Sequence, residues 1–299
     1  MMATRHLLAA AGCALAAALA AADSTTFDVP AGRTATVEPG RLFTGGTLVK
    51  TGAGTLDLTG ARLRNAGLEI REGAVRFGGG GGASVVTARY LRWNVTKTRP
   101  AKSGPPDYGD SGSQFSEFRL FRDGKRLPRP PRATALNARA DWREGPQMGI
   151  DGDLATKCYA NPFLADFGEE VTFDGYSFAT ANDAIGRDPM SWTVEAGLAD
   201  GSAVSWVAIG KVEGFEAPKA RRAEAGTVFP VKLRDVVPLN YPVTVGGKGR
   251  LVLRDVNETL EAVSGAGQIV LEGASLDIGP DAAFAGTVSG DGAVAYKTR

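Results

Sequence analysis

Asp151, Asp153 and Thr156 stand within six positions of one another in GIDGDLATKC (149–158), around Gly152. Two carboxylates this close repel unless water, a cation or a basic partner separates them. Asp-Gly is a common turn dipeptide, so one reading is a solvated turn closed by the aspartates themselves. The other is a small cation-binding loop. Calcium takes roughly six to eight oxygens from carboxylates, carbonyls and hydroxyls of a flexible loop. Gly152 permits a sharp turn between the two acids, and Thr156 adds an oxygen. An EF-hand is excluded, because the twelfth position counted from Asp151 is Pro162.

Other polar clusters invite similar questions. TANDAIGRDP (180–189) packs Asn182, Asp183, Arg187 and Asp188 into one loop. It reads as a polar ligand site, or as a network in which Arg187 bridges carboxylates and holds the loop against Trp192. ADWREGPQ sets Trp142 and Arg143 in a polar segment just before the acidic loop, and Tyr108 and Tyr159 stand in similar surroundings. Aromatic faces stack on sugar C–H faces while Arg and Asp bond hydroxyls, so these four residues are candidate carbohydrate contacts. Partial burial at the end of a β-domain is the alternative for each.

The N-terminal segment narrows the available chemistry. Arg5 and His6 precede an almost pure Leu/Ala run to Ala22, with small residues before Asp23, the pattern of a secretory signal peptide. The expected product is secreted or held at the cell surface. Cleavage removes His6, the only histidine, and Cys13, one of two cysteines. Histidine triads and His-ligated zinc are then excluded, as is an intramolecular disulfide. Net charge, +1 for the full chain, falls to about zero without Arg5, with acids and bases interspersed. No nucleic-acid partner and no transmembrane segment are expected. No nucleophile motif or phosphate loop is present, so the protein is read as non-catalytic.

Composition divides the rest. Forty glycines and many short alternating runs argue for an all-β protein. Residues 23–85 are rich in Thr, Gly and Val: GGTLVKTGAGTLDLTG alternates apolar and polar positions between glycine turns, and a glycine run at 78–82 reads as a linker. Residues 236–299 return to that style in GKGRLVLRDV and GAGQIVLEGASLDIG. Both flanks suggest weak repeats of a β-solenoid or stacked-strand kind. The middle, 86–235, holds all four tryptophans (Trp93, Trp142, Trp192, Trp206) and several longer strands, among them YLRWNV, SQFSEFRLF and SWTVEAG.

Two resemblances follow from these residues. LVKTGAGTLDLTG resembles the autotransporter-associated β-strand repeat of bacterial surface passengers, although no translocator barrel follows it in the sequence. GIDGDLATKC, LADFGEEVTFDGYSFATANDAIGRDPMSWTVEAG and DGSAVSW, in that order, resemble discoidin-like (F5/8 type C, galactose-binding-like) domains. There are departures: Cys158 stands where the family carries Trp, and the strand with Glu117 precedes the acidic loop. The resemblance implies an all-β chain with a jelly-roll β-sandwich at 86–235, flanked by glycine-rich β-repeat segments. It also implies a structural calcium held by Asp151, Asp153, Thr156 and Glu117, and recognition of a glycan or cell-surface polysaccharide. In the alternative reading the whole chain is a structural or adhesive surface unit with no small-ligand role. Oligomeric state is not legible in the sequence.

Overall fold

The computed structural model describes residues 5–8, 24–99, 113–137, 143–200, 203–234, 236 and 241–297. They form an all-β structure with no α-helix among them. Two compact units emerge: residues 1–86 with 232–299, and residues 87–231.

The first unit begins with β1 (Thr25–Asp28), β2 (Thr47–Thr51), β3 (Thr55–Thr59) and β4 (Gly67–Gly78). β1 lies parallel on β2; β2 and β3 lie parallel on the first and second halves of β4. The sequence alternation does this work. In TLDLT, Leu56 and Leu58 are fully buried while the residues between them are not. Of the expected signal peptide, only Arg5–Leu8 is described, as a strand parallel to β1; the rest of 1–22 lies outside the described residues.

The chain then enters the second unit. β5 (Val86–Thr98), β6 (Glu117–Arg122), β7 (Phe163–Phe173), β8 (Gly175–Ala179), β9 (Pro189–Asp200) and β10 (Ala203–Val212) are its main strands. One sheet runs Thr134–Ala135, β7, β5, β9, β10; the other runs Lys125–Arg126, β6, β8, Phe229–Pro230. Their described registers are antiparallel. Between the sheets sits an aromatic cluster. The Trp93 ring lies 4.8 Å from Phe115, 5.3 Å from Phe178 and 5.7 Å from Trp192, and Trp192 lies 5.0 Å from Phe229. Trp192 donates its indole N–H to the Tyr176 hydroxyl at 3.1 Å, which lets a buried indole keep a partner.

After Val231 the chain returns to the first unit through β11 (Val243–Arg254), β12 (Asn257–Leu260), β13 (Gln268–Glu272), β14 (Ser275–Ile278), β15 (Thr287–Gly290) and β16 (Ala293–Tyr296). β11 pairs in parallel with β4 along its length, setting Val243 on Leu68, Leu251 on Val75 and Leu253 on Phe77. β13 then stacks on β11 and β15 on β13; β14 stacks on β12 and β16 on β14. Leu251, Ile269 and Val288 follow one another at 18 and 19 residues, one rung per step. A single apolar column therefore runs Leu56, Val75, Leu251, Ile269, Val288, with two members before the inserted residues and three after them.

The junction is tied internally. Buried Ser84 donates its hydroxyl to the Asp255 carbonyl and accepts the Leu233 N–H at 3.0 Å, so outgoing and returning chain meet on one side chain. Leu63 N–H donates to Val236 carbonyl at 3.1 Å, and Val236 N–H donates to the buried Glu258 carboxylate at 2.9 Å. Gly78 has φ +104°, and a Cβ there would strike the Arg254 carbonyl oxygen, so glycine is what lets β4 and β11 approach at that rung. Lys50 is completely buried and donates to the carbonyls of Thr51 (2.7 Å), Gly52 (2.6 Å) and Glu72 (3.2 Å). Burial lowers its pKa, against the opposing pull of Asp28 and Glu72.

These findings correct the expected fold class. The chain is all-β, but its architecture is a parallel β-solenoid built jointly by both flanks, not a jelly-roll sandwich flanked by glycine-rich β-repeat segments. The discoidin-like resemblance is overturned with it. The motifs that carried it are short turn-and-strand strings. Such strings constrain local backbone and leave open which distant strands become neighbours. The pairing that organises this fold joins residues 68 and 243, and no local pattern encodes it.

Candidate functional site

The acidic loop lies in the second unit, between the short 3-10 turn Pro146–Gly149 and the strand Cys158–Tyr159. An added Cβ at Gly149 would meet Phe115 Cε2 at 2.6 Å and Cys158 Cβ at 3.0 Å, so a small residue is required for the loop to seat on the aromatic core. Cys158 itself is fully buried, and burial pushes its thiol up, which leaves it inert as a nucleophile.

Within the loop the backbone claims several of the acidic oxygens. Asp151 Oδ1 accepts the Asp153 N–H at 2.8 Å, and Asp153 Oδ1 accepts the Ala155 N–H at 2.8 Å. The Thr156 hydroxyl lies 2.9 Å from Asp151 Oδ2 and 2.9 Å from the Asp153 carbonyl oxygen. Glu117 reaches in from β6 and accepts the Gly152 N–H at 2.6 Å. The loop is braced from outside by Arg129, whose Nε donates to the Ile150 carbonyl at 2.5 Å.

Glu117, Asp151 and Thr156, named from the sequence, are thus brought to one place. Glu117 is 3 % exposed, and burial is the main reason its pKa rises to about 7. The Gly152 N–H opposes that rise, while the hydrogen-bonded, like-charged Asp151 carboxyl adds to it. Two touching carboxyls in a poorly solvated place require a positive charge between them, a proton or a cation. The donors match a calcium shell only in part. Two carboxylates and a hydroxyl converge, Asp153 is exposed, and among the described residues no group of three His, Cys, Asp or Glu gathers as metal ligands. The neighbouring cavity, lined by Glu117, Arg119, Arg129, Ile150 and Phe167, measures about 30 Å³. That volume admits water, not an organic ligand.

The other candidates are dispersed or engaged. Trp142 and Tyr108 lie outside the described residues. Arg143 is exposed. Tyr159 is half-buried, with the Arg187 guanidinium over its ring at 4.6 Å. The 180–189 loop is gripped by further cations besides Arg187, whose charge also acts on Asp183. Arg221 holds fully buried Asp188 through two bonds of 2.7 Å, and Lys157 holds Asp183 at 2.7 and 2.9 Å. Sequence reasoning missed Arg221 and Lys157. Arg221 sits in the basic run KARR, which reads as a solvated face. Lys157 follows the acidic loop directly, and that adjacency was the one signal available.

The chain matches no family model, no curated protein and no solved structure. Among the described residues no helix is long and apolar enough to cross a membrane.

Proposed function

We propose that the chain is an exported, non-catalytic structural protein of the cell surface, in which the parallel solenoid is the load-carrying element and residues 87–231 are a unit it carries. The observation behind this reading is the apolar column in which Leu56, Val75, Leu251 and Ile269 each lie parallel on the next, across the inserted residues. Solenoid rungs bond only to their neighbours, so stability grows by repetition and a unit can be inserted between rungs without contributing to their core. The N-terminal Leu/Ala segment supports export. Of the expected carbohydrate contacts, Tyr159 is already covered by Arg187, and Trp142 lies outside the described residues.

The test is an epitope tag inserted after Gly214, an exposed turn with open space around it. In the cells that encode the protein, antibody should label intact cells. Labelling only after permeabilisation would contradict the proposal.

A further inference from the structure

The first and last described rungs of the solenoid are built alike. In the first, β1, Thr34–Thr36 and Leu42–Thr44 lie parallel on β2, β3 and Arg62–Arg64. In the last, Ala283–Phe284, β15 and β16 lie parallel on Val263–Gly265, β13 and β14. Each rung therefore offers three strands, and the outer edges of the two rungs face opposite ends of the stack. The last rung leaves core positions uncovered. Val294 stacks on Leu276 and Tyr296 on Ile278, and those partners are 1 % and 3 % exposed. Val294 and Tyr296 themselves are 38 % and 71 % exposed. No described strand pairs with the outer edge of β15 or β16. An uncharged edge that carries apolar side chains is a template for one more strand.

The first rung shows what kind of strand such an edge takes. Arg5–Leu8 lies parallel outside β1, with Arg5 on Thr25. That is the same step of 20 residues that separates Leu48 from Leu68 and Val243 from Val263, so this strand occupies the place of a preceding rung. It belongs to the segment whose cleavage is expected after Ala22. Cleavage vacates a position that a parallel strand fills, next to Thr34 and Thr36, which are exposed already.

We propose that a second copy of this chain occupies both edges: once residues 1–22 are removed, the last rung of one molecule stacks on the first rung of the next. The geometry selects this pairing over the joining of like ends. Strand pairing from β1 to β16 is parallel throughout the stack. Two last rungs brought together with their inward faces aligned would have to pair antiparallel. Head to tail, all three strands of the last rung meet counterparts that run the same way. The apolar column that ends at Val288 then continues into the next copy's Ala35, which already pairs with Leu56 in its own column. Such a contact joins two different patches and does not close on itself, so it propagates into a filament. The proposal deepens the structural role and rests on the export reading only for the loss of residues 1–22.

The test is sedimentation velocity and electron microscopy of the uncleaved chain and of residues 23–299 over a concentration series. Both are read in solution, so the outcome is independent of where the protein is found on cells. The cleaved chain should grow past the dimer into unbranched rods, and the uncleaved chain should not. Tyr296→Asp blocks the last rung and Ala35→Asp the first. Each should weaken self-association at least tenfold, because each sets an unpaired charge in an apolar contact, while the unfolding temperature stays near that of the parent. If Ala35→Asp lowers that temperature, Thr36→Lys, at an exposed position, takes its place. Mixed in equal amounts, a first-rung variant and a last-rung variant should form a dimer and nothing larger, since one working end of each kind remains. A cleaved chain that stays monomeric, growth that stops at the dimer, or a mixture that gives no dimer would overturn the proposal. So would rods formed equally by the uncleaved chain or by the single variants.

Discussion

Leu56, Val75, Leu251 and Ile269 in the solenoid and Trp93, Phe178 and Trp192 in the inserted unit are all buried to within 1 % exposure, yet they hold their surroundings together differently. The solenoid residues stack one per rung, each meeting the same kind of neighbour above and below. The aromatic residues converge on one point from both sheets, with Trp93 touching Phe115, Phe118, Phe178 and Trp192. A stack can be interrupted between rungs and resumed, whereas a convergent cluster needs every member. This contrast accounts for which unit is inserted into which.

The largest effects should come from cavities in the two cores. Phe178→Ala should cost about 3–5 kcal/mol and Leu253→Ala about 2–5 kcal/mol in denaturant unfolding, as for other large-to-small core changes. A loss under about 1 kcal/mol at Phe178 would break the picture of a convergent cluster.

Glu117 gives the inserted unit a pH dependence on the acidic side, whereas the buried titratable group of the solenoid, Lys50, is a base whose pKa burial lowers. The Glu117 carboxyl holds a proton up to about pH 7 when folded and near 4.5 when unfolded. Between those values the folded state binds more protons, so stability should be greatest below about 4.5, fall as pH rises to 7 and level off above it. At 1.36 kcal/mol per pH unit the fall is roughly 3 kcal/mol. Unfolding midpoints of Glu117→Gln from pH 4 to 8 should lack that slope; an unchanged slope would assign it elsewhere.

In the solenoid, Lys50→Met should cost about 1–3 kcal/mol, because the carbonyls of Thr51, Gly52 and Glu72 would lose their shared donor inside the fold. A neutral result in thermal melts would mean that water replaces the ammonium. The smallest effect concerns the acidic loop. Were calcium held there, an excess of about fivefold over its Kd would stabilise the parent by about 1 kcal/mol and Asp151→Ala not at all. Equal melting temperatures in calcium and EDTA would leave the loop a turn closed by its own hydrogen bonds.

Much of the local structure was legible in the sequence. Alternation in TLDLT and YLRWNV marks strands and their buried faces, and the glycine turns of the flanks mark rungs. The convergence of Asp151 with Thr156 follows from loop spacing; its partner Glu117 came through a family resemblance that the architecture does not uphold. The continuity of the solenoid was not legible, since β4 and β11 are separated by the whole inserted unit and no composition signal pairs Leu68 with Val243. Lys50 escaped notice because a lysine inside an alternating strand reads as solvent-facing, and only the carbonyls around it explain its burial.

The most direct test replaces residues 87–231 with a short Gly-Ser linker and follows thermal unfolding and amide exchange. Outgoing and returning chain already meet at Ser84 and Leu233, so the linker has little distance to cover. Continuity across the insertion predicts a cooperative transition with slow exchange at Val75 and Leu251 as in the full chain, while 236–299 alone, deprived of β4, shows no transition. A shortened chain that melts without cooperativity, or a cooperative transition in the isolated 236–299 fragment, would contradict a single solenoid shared by the two flanks.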